Sequence, residues 1–315
     1  MKTLASLACV VLVVTALGST TVHARPPMVV SGCGAITSPG NYVLANDLVI
    51  DTDIDPAGDC LDISAAHVNL NLEGHTIYVD CLLDLGTSCG VVYGASDVGA
   101  IGINILKGAD HVSITNGTVG SEAGNFEYGI AGAADYTSVA EMTLVARVGI
   151  SLTNASYNTF TGISYTRGDD SYHGADGPIV SVSGNHNTFT SVVSGFNGFV
   201  GSDLNHLTTA ISVEGDHNLI DQANVSSFGV GSYTVLLSGN YNSITNSTVF
   251  GEGNGGIEVT LGGAHNYIEG NTVTILNPAF FAMFDQNPDC GSNIWTGNTF
   301  SNASPISADP SSCIR

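Results

Sequence analysis

Five residues able to move protons or hold charge fall within the stretch YTRGDDSYHGADGP (165–178): Arg167, Asp169, Asp170, His173 and Asp176. Adjacent carboxylates divide into an acid and a base when their surroundings differ. Asp169 or Asp170 would take either role, His173 would carry a proton near neutral pH, and Arg167 would stabilise developing negative charge. A second polar stretch, GFNGFVGSDLNHLTT (195–209), adds Phe199, Asp203 and His206. With Tyr165, Tyr172 and Asp176 these are the expected substrate contacts. Aromatic faces beside carboxylates suit sugar rings, which offer C–H patches and hydroxyls. Similar stretches at 120–129, 226–234 and 250–256 carry Phe126, Tyr128, Phe228 and Tyr233.

Another acidic group lies nearer the start. In DTDIDPAGDCLD (51–62), Asp51, Asp53, Asp55, Asp59 and Asp62 stand at the offsets 1, 3, 5, 9 and 12 of a calcium loop. Calcium is therefore the cofactor this segment would take. The match departs from the helix-flanked pattern: Pro56 replaces the expected glycine and Asp62 the expected glutamate. The competing reading is a solvated acidic turn.

These groups need a scaffold, and the scaffold is written as a repeat. The phrases GNHNTFTSVV, GDHNLIDQANV, GNYNSITNSTVF, GAHNYIEGNTV and CGSNIWTGNTF share one order of residue types. Their apolar anchors are Leu70, Ile114, Val139, Phe160, Phe189, Ile220, Ile244, Ile268 and Trp295, spaced by 44, 25, 21, 29, 31, 24, 24 and 27 residues. Self-similarity at this period marks a solenoid, and the first spacing reads as two periods of 22. Segments such as AISVEG and TVLLSG alternate apolar and polar residues, as short strands do. One coil cannot bury its apolar face alone, whereas stacked coils can. The expected fold is all-β: a single-domain right-handed parallel β-helix of roughly ten coils with disulfide-bonded ends.

Three columns run along this repeat. Asn158, Asn187, Asn218, Asn242, Asn266 and Asn293 precede the anchors, and Asn tolerates the left-handed backbone of a sharp turn. One position earlier stand His67, His111, Tyr136, Tyr157, His186, His217, Tyr241 and His265. Because His alternates freely with Tyr, this column reads as flat rings sealing a turn rather than as a row of metal ligands. Thr118, Thr143, Thr248, Thr272 and Thr299 form the third column. The segments that vary in length, with the candidate site among them, fall on one flank.

Composition sets the surroundings. Residues 1–24 read as a secretory signal, with Lys2 before the apolar run Leu4–Leu17 and cleavage after Ala24; no later run is long enough to span a membrane. Residues 25–60 would form an N-terminal cap, 61–300 the β-helix and 301–315 a C-terminal cap. Beyond Cys9 in the signal, six cysteines in an exported chain read as disulfides, with 15 pairings open. Position along the chain suggests Cys33–Cys60, Cys81–Cys89 and Cys290–Cys313. The net charge of −22 disfavours nucleic acid and anionic membranes as partners.

The segments CGAITSPGNYVLANDLVI and CLDISAAHVNLNLEGHTI, followed by the Asn-rich coils, resemble the pectin lyase-like right-handed β-helix proteins, whose repeats are shared by carbohydrate-binding proteins and sugar hydrolases. That family includes pectate and alginate lyases, polygalacturonases and epimerases. The Asp169–Asp170 pair is similar to the polygalacturonase aspartates, but the chain has no GHG and no RIK. A lyase wants a Lys or Arg base with calcium-binding acids, and Lys107, Arg147 and Arg167 are the bases among the coils. The expectation is a secreted or periplasmic β-helix that binds extracellular polysaccharide along its loop flank, with its cleavage, by hydrolysis or β-elimination, left open. The alternative is a non-catalytic envelope, adhesion or structural protein.

Overall fold

Alternation of apolar and small polar residues forces short strands, and the structure stacks them by coil. The computed structural model describes residues 26–51, 58–80, 100–121, 126–167, 178, 180–195, 209–227, 233–251, 255–277, 280–288, 292–301, 307–308 and 314. The first 25 residues and the expected C-terminal cap are thus largely outside the description. Among the described residues there is no α-helix, and each strand pairs in parallel with its counterparts in the coils before and after. The architecture is a single-domain right-handed parallel β-helix.

Each coil visits three faces. The first includes Leu61–Ile63, Ile101–Ile105, Val180–Ser183, Ile211–Glu214, Tyr233–Ser238, Gly255–Val259 and Met283–Asp285. The second includes Val68–Asn71, Thr188–Thr190, Leu219–Asp221, Ser243–Thr245, Tyr267–Glu269 and Ile294–Thr296. The third includes Thr76–Asp80, Asn224–Ser227, Thr248–Gly251, Thr272–Ile275 and Thr299–Ser301. One strand, Ser138–Leu152, runs through the second, third and first faces without a break.

The anchors form one internal ladder. Tyr42, Leu70, Ile114, Val139, Phe160, Phe189, Ile220, Ile244, Ile268 and Trp295 are register partners in succession, and Ile314 bridges to Trp295. All of them are buried, and the rings of Phe160 and Phe189 stack at 4.9 Å. The spacing of 44 is corrected here. Leu70 pairs directly with Ile114, so that step is one long coil and not two of 22. The Thr column is also in register, continued through Ser164, Val193 and Asn224.

The turn between the first and second faces carries the other two columns, with roles divided differently from the sequence expectation. The left-handed backbone belongs to the ring residues: φ is 57° at His67, 60° at His111, 62° at Tyr157, 59° at His217 and 56° at Tyr241. The Asn residues behind them are buried and point inward. From Asn187 onward each side-chain oxygen accepts the backbone N–H of the Asn one coil earlier, as from Asn187 to Asn218, Asn218 to Asn242 and Asn242 to Asn266, all at 2.8 Å, while the Asn158 oxygen accepts the Thr137 N–H. From Asn187 onward each side-chain amide also donates to a carbonyl of the preceding coil, such as Asn242 to Gly215 at 2.9 Å. The ladder therefore satisfies turn amides that no strand could reach. A shorter copy serves the next turn, where Asn271 and Asn298 cap Ser247 and Asn271.

The ends are closed by different means. Cys33 and Cys60 form a disulfide across adjacent coils, with Cα atoms 4.5 Å apart. Cys81, Cys89, Cys290 and Cys313 lie outside the described residues, as does any test of their pairing. Near the other end, Asp285 enters an otherwise apolar inward column. It is buried, and it accepts bonds from Asn287, Asn293 and the Trp295 indole.

Candidate functional site

The third face hands the chain to the first at a single corner. Strands leaving it end at Arg167, Gly195, Ser227 and Gly251; strands receiving the chain start at Val180, Ile211, Tyr233 and Gly255. Most of the length variation of the repeat falls at this corner; the turn between the first and second faces varies less, from a step of six residues, Leu237 to Ser243, to one of nine, Asp285 to Ile294. Asp169, Asp170, Tyr172, His173, Asp176, Phe199, Asp203 and His206 fall outside the described residues. Arg167 closes the strand Thr159–Arg167, in register with Ala146.

Two aromatic expectations are corrected. Tyr165 does not face a ligand: it is 1% exposed, on the inward side of the third face. Its hydroxyl donates to the Ala146 carbonyl at 2.8 Å and lies 3.2 Å from that of Arg147. Its register partner in the next coil is the small Ser194. Phe126 is likewise fully buried, opposite Ala146. Both belong to strands that extend further into the corner than the sequence pattern suggests.

At the uninterrupted strand the corner holds an ion pair. Arg147 donates to both carboxylate oxygens of Glu127, at 3.0 and 2.8 Å, with both side chains largely shielded. Both contacts are made by Nη1, and charge-assisted bonds of this kind restrain the guanidinium.

The acidic segment near the start is only partly described. Asp53 and Asp55 lie outside it, and Asp51 ends the strand Leu48–Asp51 opposite Asp80. Asp59 and Asp62 are brought together by the Asn104 amide, at 2.8 and 3.1 Å. Partial burial, with the charge of Asp62 adding to it, raises the pKa of Asp59. Among the described residues no group of three or more potential ligands stands ready for a metal ion.

The ring column makes a continuous stack from His67 to His265, with centroids 4.8 to 5.1 Å apart. His67 and His111 are parallel within 5°. Imidazole lone pairs lie in the ring plane, so two parallel imidazoles cannot converge on one ion. The stack seals turns.

A different cluster has the properties of a site, and it was not foreseen. On the outward side of the first face, register places Ser151, Ser181, Ser212, Leu236, Glu258 and Phe284 in one column. Glu258 is only 7% exposed although it points away from the core. Tyr233, one coil before, reaches over Gly255 toward Phe284, one coil after. The two rings are parallel within 12°, with centroids 5.8 Å apart. A Cβ on Gly255 would come within 2.2 Å of the tyrosine ring, so the glycine makes the space the ring occupies. Phe281 extends the aromatic wall, 5.6 Å from Phe284. The Gln286 amide donates to Glu258 Oε1, while its own oxygen accepts the Leu261 N–H at 3.0 Å. Desolvation pushes the pKa of Glu258 up, and the same burial with the nearby carboxylate pushes the Tyr233 phenol up. The sequence signal is small: a glutamate at an outward strand position beside the pair Gly255–Gly256, in GGIEVTL.

Comparison with solved structures agrees with the topology. The Dettilon tailspike protein superposes with a TM-score of 0.53 at 13% identity, covering 88% of this chain and 60% of its own. This chain thus spans about three fifths of that tailspike. The likeness is one of fold, the parallel β-helix. The A-module of the Azotobacter vinelandii mannuronan C-5 epimerase AlgE4 matches at a TM-score of 0.43, with 14% identity over 84% of this chain and 80% of that one. A mutant tailspike protein of E. coli bacteriophage HK620 in complex with pentasaccharide matches at 0.44, with 11% identity over 84% and 60%. No protein-family profile matches the chain, and no curated protein matches its sequence.

Proposed function

We propose that the protein is a secreted β-helix that binds extracellular polysaccharide along the corner between its third and first faces. The observation that carries this reading is the outward column that runs through Glu258 and Phe284, beside that corner. A stack of coils repeats its surface at a fixed rise, which suits a ligand that is itself a repeating chain. Small hydroxyl residues, then a shielded carboxylate beside aromatic rings, supply the contacts such a ligand uses. Cleavage, if the protein performs it, is assigned to Asp169, Asp170 and His173 with Arg167, on the sequence reading alone. Asp176, Tyr172, Phe199, Asp203 and His206 are the further contacts under the same reading. Hydrolysis is favoured over β-elimination by one observation. Arg147, a base that elimination could recruit, is already held by Glu127.

The test is a polysaccharide panel read for binding, for new reducing ends and for the absorbance of unsaturated products. Reducing ends alone indicate hydrolysis, and both signals together indicate a lyase. Binding with neither signal identifies a non-catalytic envelope or adhesion protein, the second reading. Absence of binding to every member overturns the proposal.

A further inference from the structure

We propose that Glu258, Tyr233, Phe284 and Gln286 form a subsite for one uncharged pyranose ring of a neutral polysaccharide. The inference rests on the reading of the corner as a polysaccharide-binding flank and adds the substrate class.

The cluster is built, not incidental to packing. A glutamate on the outer face of a sheet ordinarily extends into water, whereas Glu258 is nearly as shielded as the core. Two rings from two other coils close over this part of the strand, in the space left by a glycine of the coil between them. Gln286 is oriented by the Leu261 N–H, which fixes its amide donor toward the carboxylate. With Oε1 engaged by Gln286, Oε2 is the polar atom left to meet a ligand. Tyr233 and Phe284 add an apolar wall for sugar C–H groups, and the phenol adds a hydroxyl.

Charge selects the ligand. No basic residue among the described ones bonds to Glu258, and the whole chain has 28 acidic against 6 basic residues. A uronate would bring a second carboxylate to a desolvated one with no cation between them, a costly arrangement. An uncharged sugar hydroxyl meets no such penalty. Burial also favours the protonated carboxyl, which donates to a hydroxyl as well as accepting from one.

The experiment is calorimetric titration of the full chain with cellohexaose, mannohexaose, maltohexaose, hexagalacturonate and hexamannuronate. At least one neutral hexamer binds, and the uronates bind at least ~10-fold more weakly. Glu258→Leu and Phe284→Leu each weaken the neutral ligand at least about 10-fold, as loss of a buried hydrogen-bonding group or an aromatic anchor does. Glu258→Gln stays within ~3-fold, because the amide still donates and accepts. Should Glu258→Leu fail to fold, Phe284→Leu and ligand-induced shifts of the Leu236 methyls in the unaltered protein decide the matter. Preference for a uronate overturns the proposal. Neutral binding unchanged by both leucine variants, or no shift at Leu236, overturns this subsite and leaves the polysaccharide reading standing. Failure of all five hexamers to bind, with no member of the wider panel binding either, overturns both.

Discussion

Asn242 shows what one side chain does in this protein. Its oxygen accepts the Asn218 N–H and its amide donates to Gly215, both out of reach of water. Asn242→Leu should therefore cost roughly 1 to 3 kcal/mol in urea unfolding, because it orphans a buried donor and a buried acceptor. A loss within error would mean that neither bond matters to stability. Glu258 gives a prediction of opposite sign. Its folded-state pKa is raised by desolvation, so its contribution favours the fold fully below the ordinary carboxylate range and is lost as pH rises through the folded value. Glu258→Gln cannot ionise. Its thermal midpoint should match the parent near pH 4 and exceed it at pH 8; an equal gap at both pH values refutes the assignment. The two residues also differ in how well the sequence shows them. Asn242 is legible because the same job recurs in every coil and leaves a column. Glu258 is not, because its neighbours Tyr233 and Phe284 come from other coils, and only the register between strands brings them to it.

The turn between the first and second faces is an element with two adjacent positions and two jobs. Sequence statistics give the left-handed position to Asn, the residue that most readily adopts it after Gly. Here Asn is needed one step later, where its amide can turn inward and cap the next coil. The left-handed step falls to His or Tyr, whose flat rings then stack at 4.8 to 5.1 Å. The distinction is testable at His217. Val is poorly tolerated at a φ of 59°, so His217→Val should cost about 1 to 3 kcal/mol. His217→Gly loses the stacking but relieves the backbone, and it should cost less than the valine change in the same urea series. Glycine as the worse substitution would show that ring packing, not backbone conformation, dominates the turn. Element boundaries explain the aromatic errors too. Tyr165 sits two residues before a charged stretch and reads as loop, yet its strand continues to Arg167 and turns it into the core.

At the scale of the molecule, the stack is cooperative along one axis, so its ends are its weak points. The Cys33–Cys60 bond ties the first coils together across 27 residues of sequence. A crosslink of that span contributes about 3 kcal/mol by restricting the unfolded chain. Reduction should accelerate amide exchange over residues 28–50 and leave residues 211–275 unchanged. Uniform acceleration would mean that the whole stack unfolds as one unit. The parallel solenoid as a whole was legible, since period, alternation and anchors all point to it. The long Leu70–Ile114 coil was not, because an insertion of nearly one period imitates an extra coil. The same register has an evolutionary side. The steps from Asn218 to Asn242 and from Asn242 to Asn266 are both 24 residues, and every bond of the ladder is made to the equivalent atom one coil away. A gene that gained or lost 72 bases here would return the next asparagine to an identical neighbour. The length of this protein is therefore free to change in whole coils, by duplication or deletion, while a smaller indel is most readily absorbed at the corner where the coils already differ most.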